Sequence, residues 1–317
     1  MNNKKMHIYA AVPLLFLASS AGNAAEPPAE KSLERAAGTE FFFSDDSEGF
    51  QTQKLSAEFL MDYTHASDYQ GIRASAYHYK IADWSEDGQK VSYIAKHIDP
   101  KTANGWYADA GVFNQGRHTL LTFDGSYRTA LAEKTAVEIF ANRDWVETKP
   151  ALEEGIHFTF AGASFDQGLG EHITLVGLAG SQFFSDDNRR DHGRLKLIYQ
   201  PSLNSGLTLQ ARYRMFHSDQ TELRGYYFNP EDYQESMLAI GWRKRFSGWT
   251  AGVTAGLGRE KINHDASQNT HLLEMSLQSP IHGAQYLNLS AGYNRSASYY
   301  GPDYDFGYLK GEWVIRF

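Results

Sequence analysis

The sequence contains no cysteine, which excludes disulfides and a cysteine-linked lipid anchor. After the N-terminal region every apolar stretch is interrupted by charges, so no later segment predicts a membrane-spanning helix. Basic residues are outnumbered, with 30 Lys and Arg against 38 Asp and Glu, and no basic block stands out. This balance argues against nucleic acid as a partner. No phosphate-cradling glycine loop and no metal-ligand spacing is present, so we expect no cofactor and no metal.

The N-terminus predicts an export signal. Lys4 and Lys5 supply its positive start, residues 8–18 its apolar stretch, and Gly22 and Ala24 a cleavage site after Ala24. We therefore expect a signal peptide over 1–24, a periplasmic leader over 25–38 and one further domain over 39–317. Within the leader, residues 30–37 are compatible with a short helix.

Beyond the leader, apolar and polar residues alternate almost everywhere. Leu207, Leu209 and Ala211, for example, oppose Thr208 and Gln210. Period two is typical of strands, whose side chains point to alternate faces. The third and ninth predicted strands have ambiguous parity, for which we expect bulges. The pattern predicts sixteen strands near 39–46, 52–64, 70–84, 88–98, 104–114, 117–129, 134–146, 155–165, 171–184, 191–200, 205–217, 234–246, 248–259, 268–279, 284–297 and 306–317.

Sixteen strands favour an all-β fold, a closed transmembrane antiparallel β-barrel. Long gaps after odd-numbered strands, notably 218–233 and 260–267, place both termini in the periplasm. The alternative is a soluble β-sandwich or lipocalin-like barrel, whose apolar face would be the core. Glycine and alanine recur on the polar face, however, and would pack a dry core badly. We expect a location in the bacterial outer membrane, in contact with its lipid and lipopolysaccharide.

The last strand carries apolar residues at alternate positions and ends on an aromatic residue. Trp313, Ile315 and Phe317 are similar to the C-terminal signal of bacterial outer-membrane proteins. This resemblance implies recognition by the barrel assembly machinery.

Two stretches resemble loops of barrels that export exopolysaccharides, the poly-N-acetylglucosamine and cellulose exporters. One is QFFSDDNRRDH (182–192) and the other RGYYFNPEDYQ (224–234). The positions that match are Asp186, Asn188, Arg189, Tyr227, Phe228, Pro230 and Tyr233. The resemblance implies a polysaccharide or another hydrophilic solute in the lumen. Such exporters carry a long periplasmic helical-repeat scaffold, where this chain has only residues 25–38, so either a separate scaffold protein is a partner or the function differs from theirs.

If the apolar parity faces lipid, charged residues face the lumen as two walls. The basic wall comprises Arg194, Lys196, Arg212, Arg214, Arg243 and Arg245. The acidic wall comprises Glu58, Asp62, Asp109, Asp124 and Glu138. Either the walls create a transverse field that tunes ion selectivity, or their charges pair across the lumen and only fill it. The first interpretation predicts a preference for an anionic solute.

Catalysis is the remaining alternative, since a barrel rim can hold a nucleophile and a base. His217 with Asp219 and His192 with Asp191 are the candidates, but no Ser lies in a recognisable nucleophile motif. We therefore expect a pore and no enzyme. Its favoured cargo is a secreted, possibly anionic, exopolysaccharide, with a general diffusion porin or a structural protein as alternatives.

Overall fold

The computed structural model describes residues 34–220, 225–298 and 301–317 as one closed antiparallel barrel. Each strand pairs with the next one along the chain, and β1 (Glu34–Asp46) closes the barrel against β16 (Gly301–Arg316). Closure leaves no strand edge unpaired, as a sheet in lipid requires. The predicted fold class is confirmed.

The strands are long enough to cross a bilayer when tilted. The described residues include a single helix, α1 (Lys149–Glu154), in the β7–β8 connection. The remaining strands are β2 (Gln51–His65), β3 (Asp68–Ile81), β4 (Trp84–Ile98), β5 (Gly105–Gln115), β6 (His118–Ala132), β7 (Thr135–Trp145), β8 (His157–Gly168), β9 (Ile173–Phe184), β10 (Arg189–Tyr199), β11 (Leu207–Ser218), β12 (Asp232–Phe246), β13 (Trp249–Ile262), β14 (Gln268–Gln278) and β15 (Gln285–Ser298). No helix among the described residues is long and apolar enough to cross a membrane.

All sixteen predicted strands are present, and most boundaries agree within a few residues. The largest differences are at the closing pair. Residues 34–38, predicted as leader and in part as helix, belong to β1, because Ala36 must pair with both Leu60 and Arg316. Strand β16 likewise begins at Gly301 instead of 306. The signal peptide and residues 25–33 lie outside the described part of the chain.

The two faces of the wall differ as the alternation predicts. Large apolar side chains stand exposed on the outer face, among them Leu121 at 70% and Leu238 at 72%. Charged side chains of the opposite parity are buried inside, with Glu58 and Asp109 each at most 5% exposed. An apolar outside around a charged inside is the arrangement of a membrane barrel.

The predicted bulges in the third and ninth strands are wrong. Strand β9 pairs with both neighbours without a register shift, and the shifts between β2 and β3 follow Leu60 and Tyr63 in β2. Parity was ambiguous in β3 and β9 because large apolar side chains also point inward there. Tyr77 and Tyr79 of β3 lie in one buried apolar cluster, and Leu178 of β9 in another.

The bulge after Leu60 moves Asp62 to the outer face. Its carboxylate accepts a hydrogen bond from Gln70, whose amide oxygen accepts one from the exposed Tyr93. The prediction that Asp62 lines the lumen is therefore wrong, because one extra residue reverses the parity beyond it.

The two ends of the barrel are built differently. We call the end at which β1 begins and β16 ends the terminal end, and the opposite end the loop end. The loop end carries the longest connections, 146–156 and 219–231. At the terminal end, the β14–β15 connection reaches the β2–β3 turn, where Ala66 N donates to Ile281 O at 3.4 Å.

Candidate functional site

The two stretches that resemble exporter loops meet at the loop end. The side-chain amide of Asn188 donates to the phenol oxygen of Tyr227 at 3.1 Å and to Oδ1 of Asn229 at 2.8 Å. The same phenol donates to the carboxylate of Asp186 at 3.0 Å. Tyr227 thus uses both its acceptor and its donor capacity. The β9–β10 turn thereby holds the β11–β12 connection.

Arg190 is the central cation of this contact, whereas the sequence pointed to Arg189. Arg190 Nη2 donates to the carbonyl of Phe228 at 2.5 Å, and Arg190 Nε donates to Ser218 Oγ at 3.1 Å. Its guanidinium also lies 4.5 Å from the ring centre of Phe216. Arg189 has the outward parity and pairs with Asp191 at 2.9 Å. Arg190 and Arg194 share the inward parity along β10, and this alternation could have identified Arg190 from the sequence.

Pro230 and Tyr233, two of the positions that match the exporter loops, fix the part of the β11–β12 connection that leads into β12. Pro230 is fully buried, and Tyr233 stacks on Phe216 with ring centres 4.9 Å apart. The Tyr233 hydroxyl donates to Glu260 at 2.6 Å and accepts from Arg214 at 2.7 Å. Hydrogen bonds therefore link the start of β12, next to this connection, to charged groups that face the lumen.

The β7–β8 connection packs against the same loop. Thr148 caps α1, since its Oγ1 accepts from Ala151 N at 2.7 Å and donates to Tyr226 O at 2.6 Å. Gly155 ends α1 with φ of 70°, a left-handed conformation that suits glycine. Ala151 and Tyr227 lie in one buried apolar cluster. We call the described parts of 146–156 and 219–231 together the lid.

Two residues of the predicted acidic wall, Glu58 and Asp109, are neutralised within their own side of the barrel. Arg73 contacts Glu58 at 2.7 Å and Asp109 at 2.9 Å, and Lys90 reaches Asp109 at 3.1 Å. Asp124 lies opposite Asn142 in the register. Burial of these pairs keeps them out of solvent, so Glu58 and Asp109 contribute little net field to the lumen.

The predicted basic wall is neutralised only in part. Arg214 pairs with Glu235 at 2.5 Å, and Arg212 with Glu274 at 3.7 Å. Four further inward cations have no ion-pair partner among the described residues: Arg194, Lys196, Arg243 and Arg245. Among the described residues, these ion pairs join strands of the same side of the barrel, which lie one to three strands apart.

The remaining sequence candidates are placed as follows. Trp313, Ile315 and Phe317 all lie exposed on the outer face, and Phe317 N donates to Arg35 O at 2.9 Å. His217 contacts Asp232 at 3.0 Å and not Asp219, and His192 contacts Gln182 at 3.2 Å. Among the described residues, no group of three or more His, Cys, Asp or Glu is arranged to hold a metal ion.

No protein-family model and no curated protein matches the chain. Solved structures do. A bacterial polysaccharide outer membrane secretin is 13% identical, covers 91% of this chain and 100% of its own, and superposes with a TM-score of 0.69. OccAB2 of Acinetobacter baumannii and OpdQ of Pseudomonas aeruginosa are 10% and 11% identical, each over 90% of this chain, and cover 98% and 100% of their own chains with TM-scores of 0.43 and 0.44. The chain therefore has the closed sixteen-strand fold of outer-membrane pore barrels, similar to that of a polysaccharide secretin.

Proposed function

We propose that this chain is an outer-membrane pore that secretes a polysaccharide through its lumen. The observation that carries the proposal is the fold match to a polysaccharide outer membrane secretin over the whole of that barrel. The two stretches that resemble exporter loops, 182–192 and 224–234, support the proposal separately from the fold match. They are separate in sequence and are joined by hydrogen bonds in the structure. No catalytic role is needed for this function.

The proposal also gives the barrel an orientation. The loop end faces outward and both termini lie in the periplasm, as in barrels whose long loops are extracellular. The exposed apolar wall then contacts lipid, and the loop end contacts lipopolysaccharide. The barrel assembly machinery would recognise the C-terminal strand. A separate periplasmic helical-repeat protein would deliver the polymer to the terminal end.

The lid supports controlled and not continuous passage. Its two connections contact each other through Thr148 and Tyr226, above a lumen lined by charged and aromatic side chains. Loops have more mobility than the strands that carry them. A polymer leaving the barrel would therefore have to displace the Thr148–Tyr226 contact.

A general diffusion pore is the competing function, favoured by the unpaired inward cations, which tune small-ion selectivity. Planar-bilayer recording separates the two. We expect neutral oligosaccharides to interrupt the ionic current of a secretion pore in a length-dependent way. Polyethylene glycols of equal hydrodynamic size are the matched control, because they fit the pore but lack sugar hydroxyls.

Equal interruption by sugars and polyethylene glycols would indicate a diffusion pore. An absence of current, also after the lid is weakened by Asn188→Ala, would indicate a structural protein. Either result overturns polysaccharide secretion. Loss of secreted polysaccharide on deletion, restored by the intact chain, would establish it in the cell.

A further inference from the structure

The inward charges are distributed unevenly around the barrel. On strands β10–β14, seven Lys and Arg side chains have the inward parity and three carboxylates accompany them: Glu235, Glu260 and Glu274. The opposite side, β1–β5 with β16, matches its buried carboxylates with cations, as for Glu40 between Lys54 at 2.5 Å and Lys310 at 3.4 Å. The excess of positive charge is therefore local, in a chain whose formal net charge is −8.

The unmatched cations form two pairs at different levels of the barrel, one on β10 and one on β12. Arg194 lies opposite Arg214, and Lys196 opposite Arg212, in the β10–β11 register. Closer to the terminal end, Arg243 lies opposite Gly252 and Arg245 opposite Thr250. Successive inward residues of one strand are roughly 7 Å apart. We call Arg194, Lys196, Arg243 and Arg245 the cation column.

The neighbours of the column leave its charge available. Three carboxylates act on the column electrostatically, and each is engaged by another cation: Glu235 by Arg214, Glu274 by Arg212 and Asp166 by Arg128. Positions facing Arg243 and Arg245 are Gly252 and Thr250, which carry no charge. Like charges held near one another repel unless an anion shares the space. The column therefore lacks a counterion within the described chain.

We propose that the cation column binds the acidic groups of a polysaccharide, with carboxylates as the recognised chemistry. This inference rests on the proposed secretion function and adds the substrate class. A guanidinium donates two parallel hydrogen bonds to a carboxylate, which suits Arg to this role. Repeated and individually weak contacts allow an acidic chain to move from Arg245 toward Arg194, because conduction requires release as well as binding.

The test compares three charge-matched double variants. R194Q with K196Q, and R243Q with R245Q, each remove two column charges and leave the Arg212 and Arg214 ion pairs intact. K244Q with R259Q is the control, because both residues have the outward parity. Heat-modifiable migration on gels verifies folding of each variant.

Binding is measured on the intact detergent-solubilised protein with polygalacturonate oligomers, neutral dextran oligomers and cationic chitosan oligomers. We expect the unmodified protein to prefer polygalacturonate, each column variant to lose that preference several-fold, and the control variant to keep it. In bilayers, the same column variants should shift the permeability ratio of anions to cations toward cations. Binding does not require an open lid, so a closed pore still gives a result.

Retention of polygalacturonate binding by both column variants would overturn the inference. A protein that conducts and binds dextran as well as polygalacturonate would keep the secretion function and lose the acidic substrate class. A protein that binds none of the three oligomers and shows no sugar-dependent current would lose both.

Discussion

The amide of Asn188 donates to the phenol of Tyr227 at 3.1 Å across a sequence separation of 39 residues. Asn188 is 2% exposed, and its Oδ1 also accepts from Gln220 N at 3.2 Å. One buried side chain thus bonds three positions of the β11–β12 connection: Tyr227, Asn229 and Gln220.

Asn188→Ala should release this connection without unfolding the barrel. Removing one partner from a buried hydrogen-bond network costs about 1–3 kcal/mol. We expect faster proteolysis within 219–231 and a higher open probability in bilayers. Asn269→Ala is the matched control, since Asn269 is exposed on β14. Unchanged proteolysis would show that apolar packing alone holds the loop.

Cross-linking the lid should close the pore. The chain has no cysteine, so T148C with Y226C introduces a unique pair of thiols on two neighbouring residues, since the Thr148 hydroxyl now donates to the backbone carbonyl of Tyr226 at 2.6 Å. A short, cleavable thiol cross-linker avoids the strict geometry of a disulfide. We expect it to lower the conductance and reductant to restore it, whereas each single variant should not respond. Full conductance of the cross-linked protein would place the pathway elsewhere.

Glu147 should make lid docking pH-dependent. Burial, and then the negative charge of Asp144, raise the pKa of the Glu147 carboxyl from 4.5 to about 7. Tyr79 and Thr52 donate hydrogen bonds to it, and Lys54 lies near enough to oppose the shift. Because the docked state holds the proton more tightly, docking is fully favoured below pH 4.5 and weakens as the pH rises to about 7.

The open probability, measured between pH 4 and 8, should therefore increase as the pH rises to about 7 and then stay constant. Glu147→Gln should abolish this slope, and Glu153→Gln on the exposed side of α1 should keep it. A slope that survives Glu147→Gln would assign the titration to another group.

Arg73→Ala should destabilise the barrel strongly. It leaves two buried carboxylates, Glu58 and Asp109, without their guanidinium, and breaking a buried pair costs about 3–5 kcal/mol. Arg194→Ala is the control, as an inward Arg without an ion-pair partner among the described residues. Denaturant unfolding should show a large decrease in the free energy of unfolding only for Arg73→Ala. Equal effects would mean that the network adds no net stability.

Phe317→Asp should reduce assembly. Phe317 is 69% exposed at the end of the closing strand, where a charge would meet lipid or the assembly machinery. We expect periplasmic accumulation, measured by membrane fractionation. Phe246→Asp provides the comparison, because Phe246 is also an exposed aromatic residue at the end of a strand. Equal loss in both variants would indicate a general lipid-contact effect.

The fold was predictable because lipid and lumen impose opposite demands on successive residues. Leu207 and Leu209 must be apolar on one face while Thr208 and Gln210 need not be, and sixteen repeats of this pattern identify the strands. Side-chain direction fails as a prediction where the lumen is packed with apolar groups, as at Tyr79, or where a single extra residue intervenes, as before Asp62.

The site was predictable in composition but not in its contacts. The two loop stretches were identified, yet their meeting through Asn188 and Tyr227 depends on which strands are neighbours. The partners of Arg214 likewise depend on register, which places Glu235 beside it and leaves Arg194 without a carboxylate. Sequence alone gives the residues of a wall, and only pairing decides which charges remain free.

The closing pair also constrains the order of events during assembly. Ala36 pairs with Arg316, so β1 finds this partner only after β16 has been made. Until then β1 offers an open row of backbone donors and acceptors, which is a template for wrong pairing with other chains. Contacts of such large sequence separation also form slowly. The time between synthesis of β1 and of β16 is therefore the interval in which this protein most needs a chaperone.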